Sequence, residues 1–384
     1  MAGSLPVTSS DRPTWAVIAG GGTAGHVVPG IAVAKALVAR GHAPSSLHFV
    51  GAERGIEASL VPAAGFEITL LPGRGIQRKI TVENIAAISG IIRAVVSSVV
   101  LIRNKKPAVV LALGGFASVA CALAAILWRV PLVVADQNAR AGASNRLAAR
   151  WAKACAVPFE ETDLPRAVVT GNPVREEMLQ VGADRQQHRS RLALGLPVDR
   201  TVIVAFAGSL GSRRINQAIY GAVEQWSDRS DLAIYHVVGA RDFEDRPKLE
   251  PEKLAYLCVR YEERMDLVLA AADLAVCRSG GTTVAELAVV GLGSILVPLP
   301  IATRDHQTAN ALPLVAAGAA VLVQDADFDA DRLVLEADEL TNSSTGRAKL
   351  VAMGESAARL AHPEAADRVA DLVEQWALKP RLAN

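Results

Sequence analysis

Short runs apolar on both faces recur along the chain, each followed by a stretch with helical spacing. In the first half they are TWAVIAG, SLHFVG, AVVLALGG and PLVVADQN, with IAVAKALVAR and a long apolar stretch at 85–102 between them. Strands buried on both faces and separated by helices predict a parallel sheet covered on each side. A Gly and Pro break in VVTGNPVREEM closes this series, and a charged helical stretch leads to a second one. There TVIVAFAGS, LAIYHVVG, LCVRY, ADLAVCRSGG, GSILVPLP and AAVLVQ repeat the alternation. The predicted class is therefore α/β, with two Rossmann-like, doubly wound parallel-sheet domains. The expected boundaries are a loose tail over 1–14, a first domain over 15–173 and a second over 174–362. A closing helical segment over 363–384 can cross back to the first domain. A length of 384 residues accommodates two such domains.

The stretch 85–102 is close to the lower length limit for a membrane span. Arg93 stands at its centre, where insertion costs about 2.5–3.5 kcal/mol. Ser89, Arg93 and Ser97 form a polar stripe opposite Ile85, Ile88, Ile92, Val95, Val99 and Ile102. That period predicts a helix packed on a sheet with one wet edge, rather than a span. Forty basic and thirty-nine acidic side chains leave a net charge of +1, so no whole-molecule field gathers nucleic acid. Cys121, Cys155, Cys258 and Cys277 include no CxxC pair, which suits reduced thiols in a cytosolic protein. The N-terminal stretch lacks the basic and apolar regions of a secretory signal.

Three strand-to-helix turns carry glycines. The first, 20–25, satisfies GxGxxG, the dinucleotide pattern. The acidic residue expected at the end of the second strand is missing, since HFVG ends on Gly51, and His26 and Pro29 enter the first helical turns. A titratable imidazole beside the glycines suits a reacting group: His26 is the candidate base, or it only orients the loop. The second turn, Gly208 to Gly211, aims backbone N–H groups and a helix N-terminus at one point, where phosphate is the natural occupant. The third is CRSGGTTVAEL, whose helix bears Glu286, an acceptor for a diol. Asp325, Asp327, Asp329 and Asp331 form overlapping DxD pairs, which suit either a divalent cation or a helix cap before Arg332; no metal site is assigned.

The ordered set GGTAGHVVPG, GGFAS, DQNARAG, GNPVR, AGSLGS, CRSGGTTVAEL and RDHQTANA resembles the MurG family of undecaprenyl-diphospho-muramoylpentapeptide N-acetylglucosaminyltransferases, over roughly residues 15 to 375. The resemblance implies the GT-B fold, two domains facing each other across a cleft, and inverting transfer of N-acetylglucosamine from UDP-N-acetylglucosamine (UDP-GlcNAc) to lipid I. It places the donor on Arg175, Ser209, Tyr261, Met265, Gly281, Thr283, Glu286, His306, Gln307 and Asn310. Tyr261 would pack on uracil, Glu286 would hold the ribose hydroxyls, and Ser209 would hydrogen-bond the diphosphate. On the acceptor side it implies Thr23, Gly25, Gly115 and Asn138, with His26 as the catalytic group. No cofactor is implied as required, a divalent cation being at most stimulatory. The implied setting is the cytoplasmic face of an anionic membrane, among other cell-wall synthesis proteins.

A lipid acceptor is met at a bilayer surface. Ile76, Arg78, Lys79 and Ile80, with Trp128 and Arg129, are apolar tips beside cations that suit a headgroup layer, or else a solvated loop. Two departures from the family pattern stand out: Ala135 and Asp136 replace His and Glu before Gln137 and Asn138, and AGSLGS replaces GGSQGA. The donor motifs are shared more widely than the acceptor motifs. Another UDP-sugar transferase, a UDP-sugar epimerase and a non-catalytic nucleotide-sugar sensor stay open as alternatives.

Overall fold

The computed structural model describes residues 14–53, 55–72 and 83–379, with backbone alone at 83–89 and 91. Contacts divide the chain into two units. The first holds Met1–Gln137, Ala141–Pro173 and Glu364–Asn384, and the second holds Asn138–Arg140 and Val174–Pro363.

In the first unit, β1 (Ala16–Gly20), α1 (Ala24–Ala39), β2 (Leu47–Ala52), α2 (Glu57–Ala63), β3 (Glu67–Leu71) and α3 (Glu83–Lys105) come first. They are followed by β4 (Val109–Gly114), α4 (Phe116–Trp128), β5 (Leu132–Ala135), α5 (Ala143–Ala148), β6 (Ala154–Val157) and β7 (Ala167–Val169). The strands form a parallel sheet in the order β3-β2-β1-β4-β5-β6-β7. Alternate residues serve opposite cores: Val17, Val110 and Val134 meet α3 and α4, while Ile18, Leu111 and Val133 meet α1. That is why each strand reads as continuously apolar. Strand order reverses between β1 and β4, so the loops after these two strands flank the crevice where open α/β sheets bind ligands.

The second unit contains α6 (Glu176–Ala183), α7 (Gln187–Ala193), β8 (Thr201–Phe206), α8 (Arg213–Gln225), β9 (Leu232–Val237), β10 (Ala255–Val259) and α9 (Met265–Ala271). Next come β11 (Leu274–Cys277), α10 (Gly281–Val290), β12 (Gly293–Leu296), α11 (His306–Ala316), β13 (Ala320–Leu322), α12 (Ala330–Thr341) and α13 (Ser344–Ala358). Its parallel order β10-β9-β8-β11-β12-β13 reverses between β8 and β11. The loops after those strands are the second and third glycine turns.

The closing helix α14 (Ala365–Trp376) belongs to the first unit. Val369, Ala370, Leu372 and Val373 enter the core beside α1, and Arg40 pairs with Asp367, Asp371 and Glu374 on its outer side.

Helix α3 buries Ala94, Ser98 and Ile102, with Val95 and Val99 packed against the core. Ile92, expected on the buried stripe, is exposed together with Val96 and Val100, because the buried face is rotated toward the small residues that let α4 approach. Among the described residues no helix is long and apolar enough to cross a membrane. All four cysteines are free thiols, and burial pushes Cys155 up to about 11.

Candidate active site

In the first unit the β1–α1 turn places His26 three positions into α1. Its Nδ1 lies 3.1 Å from the Gly21 carbonyl and 3.3 Å from the Thr23 hydroxyl. A carbonyl only accepts, so Nδ1 carries a proton, and in the neutral ring Nε2 is the nitrogen that can accept. Beside Nε2 runs Gly114, held at φ 107°. A side chain there would begin 3.1 Å from Nε2 and 3.3 Å from the Asn145 amide, so glycine keeps that side of the imidazole open. Gly115 begins α4 and touches the first turn: a Cβ on it would lie 2.5 Å from the Gly21 carbonyl oxygen. Thr23 is exposed and Gly25 half-buried at the start of α1.

The amide of Gly22, which a dinucleotide pyrophosphate would need, is already used. It donates to both carboxylate oxygens of Glu57, at 3.1 and 2.9 Å, and Ala52 N–H donates to the same group at 2.7 Å. A built-in anion beneath the turn disfavours the dinucleotide reading, which the GxGxxG spacing alone left open. Asp136 has a similar internal task, accepting from Gly142 N–H at 3.1 Å and Asn145 Nδ2 at 2.8 Å.

In the second unit, Ser209 and Leu210 form the exposed tip of the β8–α8 turn. The Ser209 carbonyl accepts from Ala240 N–H at 3.0 Å, and Ser212 caps α8 by accepting from Ile215 N–H. Gly211 packs on the Val238 carbonyl so closely that a Cβ would overlap it. Arg278 ties this turn to its neighbours, donating to the Ser212 hydroxyl and to the Val297 and Pro298 carbonyls while pairing with Asp325 at 2.6 Å. Asn216 joins the buried His236 at 3.1 Å to the Val238 carbonyl, also at 3.1 Å.

Arg175 and Glu286, far apart in sequence, meet here: the guanidinium contacts Glu286 Oε1 at 3.1 and 3.3 Å. Burial pushes the Glu286 carboxyl upward, against the pull of Arg175. Gly281 and Thr283 share its helix, α10. Tyr261 is 53% exposed, and Met265 opens α9 nearby in sequence. His306 donates from Nδ1 to the Thr303 carbonyl, after two residues, Arg304 and Asp305, held in the left-handed region.

Gln307 and Asn310 are committed inward. Gln307 Oε1 accepts from Leu299 N–H at 2.9 Å. The fully buried Asn310 accepts from Ala139 N–H at 2.8 Å and donates to Asn138 Oδ1 and the Ser279 carbonyl, so its amide braces loops. Three of the four DxD carboxylates are spent likewise: Asp325 on Arg278, Asp329 as the cap of α12, and Asp331 on Gln225, while Asp327 is exposed. Among the described residues no group of three His, Cys, Asp or Glu side chains could hold a metal ion. Trp128 is 42% exposed, with Arg103 5.5 Å from its ring, and Arg129 ends α4. Ile76, Arg78, Lys79 and Ile80 lie outside the described residues.

Each of the two sheets matches a domain of one known family. Residues 16–157 match the glycosyltransferase family 28 N-terminal domain, and residues 202–369 match its C-terminal domain. The chain belongs to glycosyltransferase family 28. A family relative in Acidothermus cellulolyticus, named UDP-N-acetylglucosamine--N-acetylmuramyl-(pentapeptide) pyrophosphoryl-undecaprenol N-acetylglucosamine transferase, is 37% identical over 376 residues, 96% of this chain and 99% of the relative. The crystal structure of Acinetobacter baumannii MurG matches with a TM-score of 0.71 and 28% identity, covering 94% of this chain and all of that one. UDP-GlcNAc 2-epimerase of Neisseria meningitidis, at a TM-score of 0.66 over 94% of this chain and 99% of its own, is 14% identical and shares the fold alone.

Within this family 28 chain, Glu57, Asn145, Asn216 and Arg278 are polar residues at the two sites that sequence reasoning passed over. Each acts on backbone or on another side chain, so no motif logic singles it out. For Glu57 a faint signal existed in the glycines at 51 and 55, whose lack of side chains leaves room for a buried carboxylate.

Proposed function

We propose that the chain moves N-acetylglucosamine from UDP-GlcNAc to the 4-hydroxyl of the muramoyl pentapeptide on undecaprenyl diphosphate, forming a β(1→4) linkage by one inverting displacement. The observation that carries this reading is full-length likeness, at 37% identity, to a relative bearing that name. The chemistry of the two glycine turns agrees with it. His26, with its proton fixed on Nδ1, takes the proton of the attacking hydroxyl at Nε2. Departing UDP gathers negative charge, which the turn at Ser209 and the N-terminus of α8 stabilise, with Arg175 adding a cation. Glu286 accepts from the ribose diol and Tyr261 stacks on the uracil. His306, Gly281 and Thr283 line the sugar side. Thr23, Gly25, Gly115 and Asn138 position the acceptor.

The reaction as proposed needs no resident metal, and three of the four carboxylates after β13, Asp325, Asp329 and Asp331, are engaged in ion pairs, a helix cap and an amide contact. The chain works as a peripheral protein on the cytoplasmic face of the membrane. Support for this comes from exposed Val96, Val100, Leu127 and Trp128 on α3 and α4, and from an apolar groove between α4 and α5 lined by Leu123, Leu147 and Trp151. Arg103 and Arg129 beside them suit anionic headgroups, at about 1 kcal/mol per cation.

The test is UDP release with a short-chain lipid I analogue, for wild type, His26→Ala and Glu286→Ala. Acceptor-dependent release that both variants lose is the expected result. Turnover of UDP-GlcNAc without acceptor indicates an epimerase, and UDP binding without turnover indicates a sensor. In sedimentation with anionic vesicles, Leu127→Glu combined with Trp128→Glu should reduce binding, and unchanged binding removes this face from the account.

A further inference from the structure

We propose that Glu57 is a positioning residue for His26, acting through the peptide bond between Gly21 and Gly22; this rests on the reading of His26 as the base. The two contacts described above use opposite ends of one peptide unit. Its N–H, on Gly22, donates to the Glu57 carboxylate at 2.9 and 3.1 Å. Its C=O, on Gly21, accepts from His26 Nδ1 at 3.1 Å. Peptide N–H and C=O are conjugated, so an anion on one end enriches the oxygen at the other and strengthens its hold on Nδ1–H. The carboxylate thereby does at one remove what a carboxylate hydrogen-bonded directly to an imidazole does. It fixes the tautomer, orients the ring and favours the imidazolium that forms when Nε2 takes a proton.

The surroundings of Glu57 are built for this placement. Its residue is 1% exposed, at the first position of α2. Three glycines enclose its head: a Cβ on Gly21, Gly51 or Gly55 would lie 1.9, 2.3 or 2.0 Å from the nearest Glu57 side-chain atom. Ala52 N–H, at 2.7 Å, pins Oε1 from the end of β2. A carboxylate is costly to bury, and these contacts concentrate its hydrogen bonding on the turn that carries His26.

Two variants and two readouts test the proposal. Glu57→Gln keeps the shape and removes the charge. Gly51→Ala keeps the charge and pushes the carboxylate off Gly22. Both should lower kcat about tenfold or more, as expected for losing a charge-assisted hydrogen bond, with KM for UDP-GlcNAc little changed. In 15N-histidine NMR, with the His26 signals assigned by their absence in His26→Ala, both variants should lose the pure Nδ1–H pattern for a mixture of tautomers. An unchanged kcat, or a fall in kcat with the His26 signals unmoved, overturns the proposal. Should Glu57→Gln fail to fold, Gly51→Ala decides by the same readouts. If His26→Ala keeps wild-type turnover, the base reading fails by itself, and the NMR comparison still reports whether Glu57 sets the imidazole.

Discussion

Replacing Glu286 by Gln separates what its charge does for the ligand from what it does for the fold. Both Arg175 contacts fall on Oε1, so Oε2 is the oxygen that can accept from a ribose diol. A hydrogen bond to a charged acceptor contributes about 1.5–3 kcal/mol against about 0.5–1.5 for a neutral one. With two hydroxyls donating, loss of charge should weaken UDP binding by about 2–3 kcal/mol, or roughly 30- to 150-fold. Folding should respond in the other direction. Burial holds the folded carboxyl above its ordinary range, so stability falls as pH rises from the unfolded carboxylate pKa through the raised folded one. Ionising the buried carboxyl therefore costs the fold, and the neutral amide does not carry that cost. Arg175, whose side chain is one third exposed, keeps access to water. Titration calorimetry with UDP, paired with thermal unfolding at pH 7, should show much weaker binding with no drop in Tm. A Kd within threefold of wild type would refute the assignment of Glu286 to the ribose.

Three further outcomes follow from particular contacts. Ending the chain after residue 363 removes Val369, Leu372 and Val373 from the first core, at most about 5–9 kcal/mol of apolar burial, comparable with a domain's whole stability. Circular dichroism and proteolysis should find that unit unfolded, and a wild-type unfolding midpoint contradicts the packing of α14. Burial pushes His236 down to about 3, so the unfolded chain binds that proton first; stability is full above pH 6.5 and falls by about 1.4 kcal/mol per unit as pH drops toward the folded value. Urea unfolding of the second unit at pH 7, 6 and 5 should show a shallower loss in His236→Gln, and equal slopes contradict this. With Asp325 held by Arg278, transfer in excess chelator should stay within about twofold of the untreated rate, given ion-pair and capping roles for the acidic run; abolition of activity would restore the metal reading.

The two-sheet architecture was legible because parallel strands covered on both faces must be apolar at every position, as in VVLALG and TVIVAF. The glycine turns were legible for a related reason, since a strand that stops at a ligand crevice needs residues without side chains. Orientation within α3 was not: Ile92 and Val95 look alike in sequence, and only the approach of α4 decides which is covered. Asn310 shows a second limit. Its motif pointed toward a sugar, and nothing in that motif announces the bracing contacts of its amide, with Ala139 and Asn138 more than 170 positions away and with Ser279. Glu57 was invisible because its partners are backbone amides, which every residue carries.

Amide hydrogen exchange with and without UDP asks most directly whether the nucleotide belongs to the second and third glycine turns. The account predicts protection confined to the segments around Ser209 and from Arg278 to Glu286, with exchange from Gly20 to His26 unchanged. Protection of the Gly20–His26 segment, with none at Ser209 or Glu286, would contradict it.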